Sequence, residues 1–355
     1  MFEPPRCPNR RCPHHREPTA RFYVRRGFYR ALCRPHPIPR FQCKRCGIGF
    51  SRQTFRADYR DHKPHLNAEL FVALNSGVGL RQFSRTHGLS RRCTELKFRK
   101  LARHLRRLNL NLRGPLPPGC RLQFDELETY ETRRNTRPLS VPLLIERESR
   151  YVIWAEAAPI RPRGKMSKER KLAILEEERR FGPRKDLSRR SILRTLERGR
   201  KLVERHGTVL FESDEKSSYP VLLRKVFGRK PVVHMRTNSK LPRTCWNPLH
   251  PINSTEALAR DLMGRLRRES WLVSKKRRYL DLALAVFAAY RNFVRRRFNH
   301  DRESPAQRAG FAERRWKWGE LLSWRQDWAA ASPHPTWCGA RRQGSGTHPL
   351  AGGTG

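Results

Sequence analysis

The sequence predicts a mixed α/β fold with flanking helices, preceded by two small N-terminal units, one organised around a metal ion and one helical. Three observations support this prediction. Cysteines fall in two close pairs before residue 50, apolar residues recur at helical spacing between residues 66 and 105, and strand-like and helical segments alternate after about residue 120. A chain of 355 residues, of which 37% are hydrophobic, is long and apolar enough for two or three folding units.

The charge balance indicates a nucleic-acid partner. Lysine and arginine number 78 against 32 aspartate and glutamate residues, which gives a formal net charge of +46. Nucleic acid is the abundant polyanion that such a surplus attracts. No apolar run approaches the roughly 18 residues of a membrane span, and the N-terminus is charged and proline-rich, unlike a signal peptide. We therefore expect a cytoplasmic protein with no membrane partner, and a structural RNA-binding protein is the alternative that composition leaves open.

The paired cysteines predict a zinc ribbon over residues 1–60. Cys7 and Cys12 form one pair, and Cys43 and Cys46 form a second pair that is followed directly by Gly47. A short spacing lets two thiolates from one tight turn reach the same ion, and glycine permits the positive φ of such a turn. Because protein would fill all four coordination positions, we expect the Zn²⁺ to be structural. The alternatives are isolated structural thiols or a site with a substitute ligand; the candidate substitutes are His14, His15 and Cys33.

Residues 61–107 have the pattern of a helix-turn-helix. Leu70 and Phe71 belong to the apolar stripe of a first helix, residues 80–87 form a second, and Ser90 caps a third, basic helix that runs towards residue 105. In a helix-turn-helix the last helix enters a DNA groove. The candidate base- or phosphate-contacting residues on that helix are Arg91, Arg92, Thr94 and Lys97. The alternative is an ordinary three-helix bundle with a solvated basic face.

After a linker predicted at residues 108–119, isolated acidic residues stand out in the basic stretch 120–300. Asp125 lies within a strand-like segment, Asp214 lies at the end of a later one, and a β-hairpin is predicted between them. A basic insertion at residues 161–205 follows the hairpin. Three strands, a helix and another strand, with acids at these positions, form an RNase H-like layout. Its chemistry requires carboxylates from separate elements to hold two Mg²⁺ or Mn²⁺ ions about 4 Å apart.

These features follow one another in a distinctive order: zinc ribbon, helix-turn-helix, linker, acid-bearing strand, basic insertion, an Asp-x4-Tyr-Pro motif and a basic helix. The stretches that carry the order are residues 40–55, 124–129, 213–220, 267–275, 288–294 and 304–311. The order resembles bacterial insertion-sequence transposases of the DDE class, and the resemblance covers roughly residues 5–325.

The resemblance implies an enzyme that cleaves the ends of an insertion sequence and transfers the strands to new DNA. Asp125 and Asp214 would be the first two acids of its catalytic triad. It also implies a nucleoid-associated bacterial protein that binds double-stranded DNA, both element ends and target, as a homodimer or a larger assembly.

The third acid is the least defined position of the triad. In related transposases it stands at the start of the last helix, near Asn253, and asparagine cannot replace a charged carboxylate at a divalent-metal site. Glu256, one turn further on, is the assigned substitute, because its angle to the apolar stripe places it nearer the sheet than Asp261. The spacing of Asn253 and Glu256 also fits a capping box. With a degenerate site, the chain would be a catalytically decayed transposase or a repressor that only binds DNA.

Basic residues beyond the third acid are predicted to line a channel for donor and target DNA. They are Arg265, Arg267, Arg268, Lys275 and Lys276. Nearer the C-terminus, residues 301–328 are predicted to form a helical element that packs through its tryptophans. The Gly/Ser/Pro-rich residues 329–355 are predicted to be disordered.

Overall fold

The computed structural model describes residues 2–267 and 270–325. It divides into two compact units, one made of the described parts of Met1–Arg56 and Arg325–Gly355, the other of Ala57–Trp324. The predicted channel residue Arg268 and the predicted disordered tail, residues 329–355, lie outside the described residues, as does the last part of the helical element predicted to end at residue 328.

The N-terminal unit is a small three-stranded antiparallel sheet. Its strands are β1 (Tyr23–Tyr29), β2 (Ile38–Cys43) and β3 (Gly49–Ser51), and β2 lies between the other two. Its core consists of aromatic rings and sulfur atoms; the buried members are Cys7, Cys12, Phe22, Phe41, Cys43, Phe50 and Phe55. So few apolar residues form a thin core, which is typical of small units that need a metal or disulfides for stability.

Three helices open the larger unit, at the positions that the hydrophobic pattern predicts. They are α1 (Leu66–Leu74), α2 (Leu80–Thr86) and α3 (Arg91–Leu112). The Ser90 hydroxyl caps α3 by accepting a hydrogen bond from the Cys93 backbone N–H at 3.1 Å. The linker prediction is wrong for residues 108–112, which continue α3. The reason is burial, because Leu108 and Leu112 extend the apolar face of the helix.

A mixed sheet forms the centre of the larger unit. Its strands are β4 (Arg121–Tyr130), β5 (Pro138–Glu146), β6 (Val152–Ala155), β7 (Ala158–Pro159), β8 (Val209–Asp214) and β9 (Val232–Thr237). The order across the sheet is β6-β5-β4-β8-β9, with β7 paired to β5. The pairs β6–β5 and β5–β4 are antiparallel, whereas β4–β8 and β8–β9 are parallel.

Helices cover the sheet. Between β7 and β8 lie α4 (Lys168–Phe181) and α5 (Ser188–Arg200), and α6 (Tyr219–Phe227) separates β8 from β9. After β9 come α7 (His250–Leu262), α8 (Arg277–Ala289) with a π-helical turn at Tyr290–Val294, and the short α9 (Pro305–Arg308) and α10 (Trp318–Ser323). In the predicted tryptophan-rich element Trp316 and Trp324 are buried, whereas Trp318 is 44% exposed.

Part of the predicted basic insertion, residues 161–205, belongs to the core. Helix α4 buries none of its residues, as expected of an insertion. Helix α5 packs on β5 and buries Ile192 and Leu196. A Cβ atom at Gly199 of α5 would lie 2.6 Å from Leu144 Cδ2, so glycine allows the close approach of this helix to the sheet. The insertion prediction is therefore wrong for α5, because its charged residues lie outside a buried face that consists of small and apolar residues.

Candidate functional site

The four cysteines of the N-terminal pairs meet at one point. The Sγ atoms of Cys7, Cys12, Cys43 and Cys46 all lie within 4.8 Å of one another. Across the two pairs, Cys7 and Cys46 Sγ are 3.5 Å apart, and Cys12 and Cys43 Sγ are 3.8 Å apart. Four sulfurs placed tetrahedrally at about 2.3 Å from a zinc ion would be about 3.8 Å from each other. The group could therefore hold a metal ion such as zinc with protein ligands in all four positions.

Backbone hydrogen bonds fix both cysteine turns. The Cys7 N–H donates to the carbonyl of His14 at 2.9 Å, and the Gly47 N–H donates to the carbonyl of Cys43 at 3.0 Å. Gly47 has φ +67°, the left-handed conformation that the turn after Cys46 requires. Burial raises the pKa of Cys7. At Cys46 burial acts in the same direction, but the backbone N–H of Ile48 and the neighbouring thiols outweigh it and lower the pKa to about 7.

His14, His15 and Cys33, the alternative metal ligands suggested by the sequence, lie outside the four-sulfur group. The His15 imidazole lies 2.7 Å from the carbonyl of Cys7, where its Nδ1–H can donate, and the His14 ring packs on Phe22 with centroids 5.5 Å apart. Cys33 is partly exposed and is not a member of the four-sulfur group. The group that could hold a metal ion therefore consists of four cysteines.

Strand pairing brings Asp125 and Asp214 together. The parallel strands β4 and β8 are in register with Gln123 opposite Glu212. Two residues further along each strand are Asp125 and Asp214, which therefore point to the same face of the sheet as that pair. Helix α7 covers this face, because the Ile252 N–H donates to Gln123 Oε1 at 3.1 Å.

Glu256 approaches the same face from α7. It is 5% exposed, and its Oε1 atom has no hydrogen-bond partner within the described residues. Burial, followed by the nearby charge of Asp125, raises the pKa of Glu256 to about 8. Burial also raises the pKa of Asp125, with Asp214 contributing in the same direction. The three acids are thus close enough to interact through their charges, and perturbed carboxylates of this kind are common at functional sites.

The alternatives for the third acid do not share this position. Asp261 lies on the exposed side of α7. The capping-box interpretation of Asn253 and Glu256 is wrong, because α7 begins earlier, at His250, and has a proline in its first turn. Asn253 is inside the helix, where its backbone N–H donates to the carbonyl of Leu249 at 2.9 Å. Proline is well tolerated in a first helical turn, so Pro251 was the sequence signal for this earlier start.

The predicted DNA-contacting residues of α3 divide into two pairs. Arg91 and Arg92 are exposed. Thr94 is fully buried and its hydroxyl lies 2.9 Å from Ser84 Oγ. Lys97 is 3% exposed and forms an ion pair with Asp61, Nζ to Oδ1 2.5 Å. The prediction of a DNA contact is therefore wrong for Thr94 and Lys97, because packing of α3 on the preceding segments encloses both side chains.

Of the four predicted channel residues that the structure describes, three are exposed. Arg267, Lys275 and Lys276 face solvent. Arg265 is mostly enclosed, where Nη1 donates to Ser274 Oγ at 3.0 Å and the guanidinium lies 5.7 Å from the centroid of Phe98. Burial lowers the pKa of Arg265. Its role in the structure is to hold the segment between α7 and α8 against α3.

Several residues near Asp125, Asp214 and Glu256 were not predicted from the sequence to belong to the site. Arg243 and Arg260 lie close enough to lower the pKa of Glu256, against the larger effects of burial and Asp125. On the opposite face of β4, Glu126 accepts a hydrogen bond from Tyr219 OH at 2.9 Å and pairs with the Lys216 ammonium. Tyr219 belongs to the Asp-x4-Tyr motif, so its spacing from Asp214 was a usable signal. The two arginines carry no such signal in a chain with 78 basic residues.

Within residues 2–267 and 270–325, the cysteine group is the one set of three or more His, Cys, Asp or Glu side chains whose ligand atoms are gathered that closely. None of the helices in this part of the chain combines the length and apolar character needed to cross a bilayer. The sequence matches no known protein-family profile and no curated protein.

Proposed function

We propose that the chain is a DDE-type DNA transposase with an RNase H-like catalytic core. The observation that carries this proposal is the convergence of Asp125, Asp214 and Glu256. They come from β4, from the end of β8 and from α7, and they share one face of the sheet. A basic chain that encloses a small group of interacting acids is suited to binding a phosphodiester and cleaving it with divalent metal ions.

The strand order supports the RNase H-like assignment. Antiparallel strands β4, β5 and β6 and the short β7 come first; the parallel strands then follow, β8 after α4 and α5 and β9 after α6. In parallel strands the ligand-binding crevice lies beyond the carboxyl ends. Asp214 is the last residue of β8. The first two acids of the proposed triad are thus on adjacent parallel strands, which supports the proposal that they hold metal ions together.

The acids fit a site for two hard cations. Glu256 presents a buried oxygen with no partner among the described residues, and Asp125 has a raised pKa. A cation bound to these groups would favour their charged forms and so oppose the effects of burial and of like charge on both pKa values. Two Mg²⁺ or Mn²⁺ ions held by these carboxylates would activate the attacking oxygen and stabilise the leaving one. The chain's own part is to hold the carboxylates in place and to attract the DNA phosphates through Arg243 and Arg260.

The N-terminal part supports a DNA-reading role. We propose that the four cysteines hold a structural Zn²⁺ and that α2 and α3 form the last two helices of a helix-turn-helix. Arg81, Arg85, Arg91 and Arg92 are all exposed on these two helices. Basic side chains on a short helix and on the start of the next helix fit phosphate and base contacts in a major groove.

The proposal is tested by metal-dependent cleavage of a supercoiled plasmid that carries the coding sequence with its native flanking DNA. The variants are Asp125→Asn, Asp214→Asn and Glu256→Gln. Each should lower the rate at which 3′-OH ends appear by about a thousandfold, which corresponds to the several kcal/mol that metal ions contribute to such transition states. The matched controls are Glu215→Gln and Asp261→Asn, because Glu215 and Asp261 are exposed acids next to Asp214 and on the far side of α7. They should stay within about threefold of the wild type.

Each failure has a distinct meaning. Unchanged cleavage in both the Asp125 and Asp214 variants would make the catalytic assignment wrong. An effect in those two but not in Glu256→Gln would move the third acid elsewhere. Tight binding to the flanking DNA with no cleavage by the wild-type protein would favour the alternative function, a repressor or decayed transposase.

A further inference from the structure

A cavity of about 420 Å³ lies in the larger unit, apart from the three acids. Its walls are the turn between α1 and α2, the start of α3 and the connection from α7 to α8. The floor is apolar; it includes Leu74, Val78, Leu80, Met263, Val273 and Val286. This volume is within the range of about 300–1,000 Å³ that small-ligand pockets occupy.

Close backbone contacts form the cavity. The Gly77 N–H donates to the carbonyl of Leu262 at 2.8 Å. A Cβ atom at Gly264 would lie 2.7 Å from the Gly77 carbonyl oxygen and 2.5 Å from Leu272 Cδ1. Two glycines thus allow the α7–α8 connection to lie directly on the α1–α2 turn, so that the cavity belongs to the packed structure.

The rim of the cavity is cationic. Five exposed basic side chains line it; they are Arg81, Arg91, Lys275, Lys276 and Arg278. Among its described lining residues the carboxylate is Glu95, which already accepts a hydrogen bond from the Tyr279 hydroxyl. An apolar floor with a cationic rim suits a ligand that has both an apolar face and phosphate groups.

An exposed indole completes the lining. Trp271 is 96% exposed, in contrast to Trp316 and Trp324, which are buried. Leaving so large an apolar ring in water forgoes the stabilisation of burial. Beside a cationic rim, such a ring is suited to stacking on a nucleobase, which proteins that bind unpaired strands use in this way.

We propose that this cavity binds one unpaired nucleotide of DNA, with the base stacked on Trp271 against the apolar floor and the adjacent phosphates on the basic rim. The inference rests on the proposed function, because it takes DNA as the substrate. A base inside a duplex cannot enter a cavity, so the nucleotide must leave the stack. An apolar protein segment in the cavity would leave the five cations of the rim without negatively charged partners from the ligand.

The test compares two fluorescently labelled DNA duplexes of the same sequence, one fully paired and one with a single extrahelical 2-aminopurine. Binding is measured with the full chain and without added Mg²⁺ or Mn²⁺. The wild type should bind the extrahelical duplex about tenfold more tightly, within the range that stacking on an aromatic ring gives. Stacking should also quench the 2-aminopurine fluorescence. Trp271→Ala should lose the preference and the quenching, and Trp271→Phe should retain most of both.

The matched control is Trp246→Ala. Trp246 is 91% exposed and does not line the cavity, so its loss should leave the preference unchanged. If the protein binds the paired duplex but Trp271→Ala keeps the full preference, the cavity assignment is wrong. An equal preference for RNA of the same sequence would overturn the choice of DNA. If neither duplex binds to any variant, the proposed function itself fails.

Discussion

The ammonium group of Lys97 lies inside the larger unit, with three acceptors around it. Its Nζ donates to Asp61 Oδ1 at 2.5 Å, to the carbonyl of Lys63 at 2.6 Å and to Asn67 Oδ1 at 3.2 Å. The Asp61 side chain is 7% exposed. This ion pair joins α3 to the segment before α1, and it therefore fixes the direction of the helix that we propose reads DNA.

Breaking this ion pair should lower the free energy of unfolding substantially. Lys97→Met removes the cation of this buried ion pair, a change that typically destabilises a protein by about 3–5 kcal/mol. The free energy of unfolding, measured in urea, gives the effect. The matched control is Lys100→Met on the same helix, because Lys100 donates to the carbonyl of Tyr59 at 2.7 Å and makes no ion pair in the described structure. The control should cost about 1 kcal/mol, and an equal cost for both variants would contradict this account.

The same pair predicts a dependence on pH. Burial acts to raise the pKa of Asp61, but the hydrogen bond and charge of Lys97, together with hydrogen bonds from Asn67 and the Lys63 backbone, outweigh it and lower the folded-state pKa. A depressed pKa stabilises the folded state above the unfolded pKa of about 3.9, and that contribution disappears as pH falls through the folded pKa. The difference in unfolding free energy between the wild type and Asp61→Asn should therefore be constant above about pH 5 and shrink below pH 4.

The sequence could suggest which residues belong to the candidate site, but it could not show which of them are buried. Asp125, Asp214 and Glu256 stand out because they are acids in a basic chain. Thr94 and Lys97 looked like surface groups because nothing local shows that α3 packs on Asp61 and Ser84. That information is in contacts between segments distant in sequence.

At the scale of elements, the cysteine group determines whether the three-stranded sheet can form a stable unit. Its core is a few aromatic rings around the sulfur atoms. Without a metal, Cys7 and Cys12 are buried thiols whose pKa values are raised by burial. A cation that binds the thiolates would offset the free-energy cost of ionising these buried cysteines. It would also link both cysteine turns to the sheet.

Cys43→Ser should therefore remove the metal and unfold the N-terminal unit. Elemental analysis should find about one zinc per chain in the wild type and none in the variant. Trypsin should then cut rapidly within residues 2–56, which contain many arginines. Cys93→Ser is the control, because Cys93 lies on α3 outside the group. Full zinc content and protease resistance in Cys43→Ser would show that the four sulfurs are not a metal site.

The periodicity of the sequence predicted most helices and strands, but it did not predict the residues at which they begin and end. The spacing of Ile192 and Leu196 indicates a helix at the end of the basic insertion, but it does not show that α5 packs on the sheet through an inner face that also contains Gly199. Helix α3 continued into the predicted linker because Leu108 and Leu112 are buried by contacts that only the folded unit provides. Such boundaries depend on what an element packs against, and spacing alone does not show its partner.

At the scale of the whole molecule, the net charge of +46 and the few interacting acids have complementary roles. In the proposed function, the charge would favour association with DNA and make it sensitive to salt. The acids would decide whether bound DNA is cleaved. Composition predicted the first role, whereas the second depends on a sheet order that brings β4 and β8 side by side with α7 across them.

Iron-directed cleavage of the polypeptide tests whether Asp125, Asp214 and Glu256 bind metal ions at one shared site. Fe²⁺ replaces Mg²⁺ in the zinc-loaded, full-length chain, and ascorbate with hydrogen peroxide then generates radicals that cut the backbone near the bound iron. If the three acids share a metal site, the cuts should fall in three groups, near Asp125, Asp214 and Glu256. Excess Mg²⁺ should suppress these cuts, and Asp125→Asn should abolish them. Cuts that miss any of these three segments, or that persist unchanged in Asp125→Asn, would contradict a shared metal site.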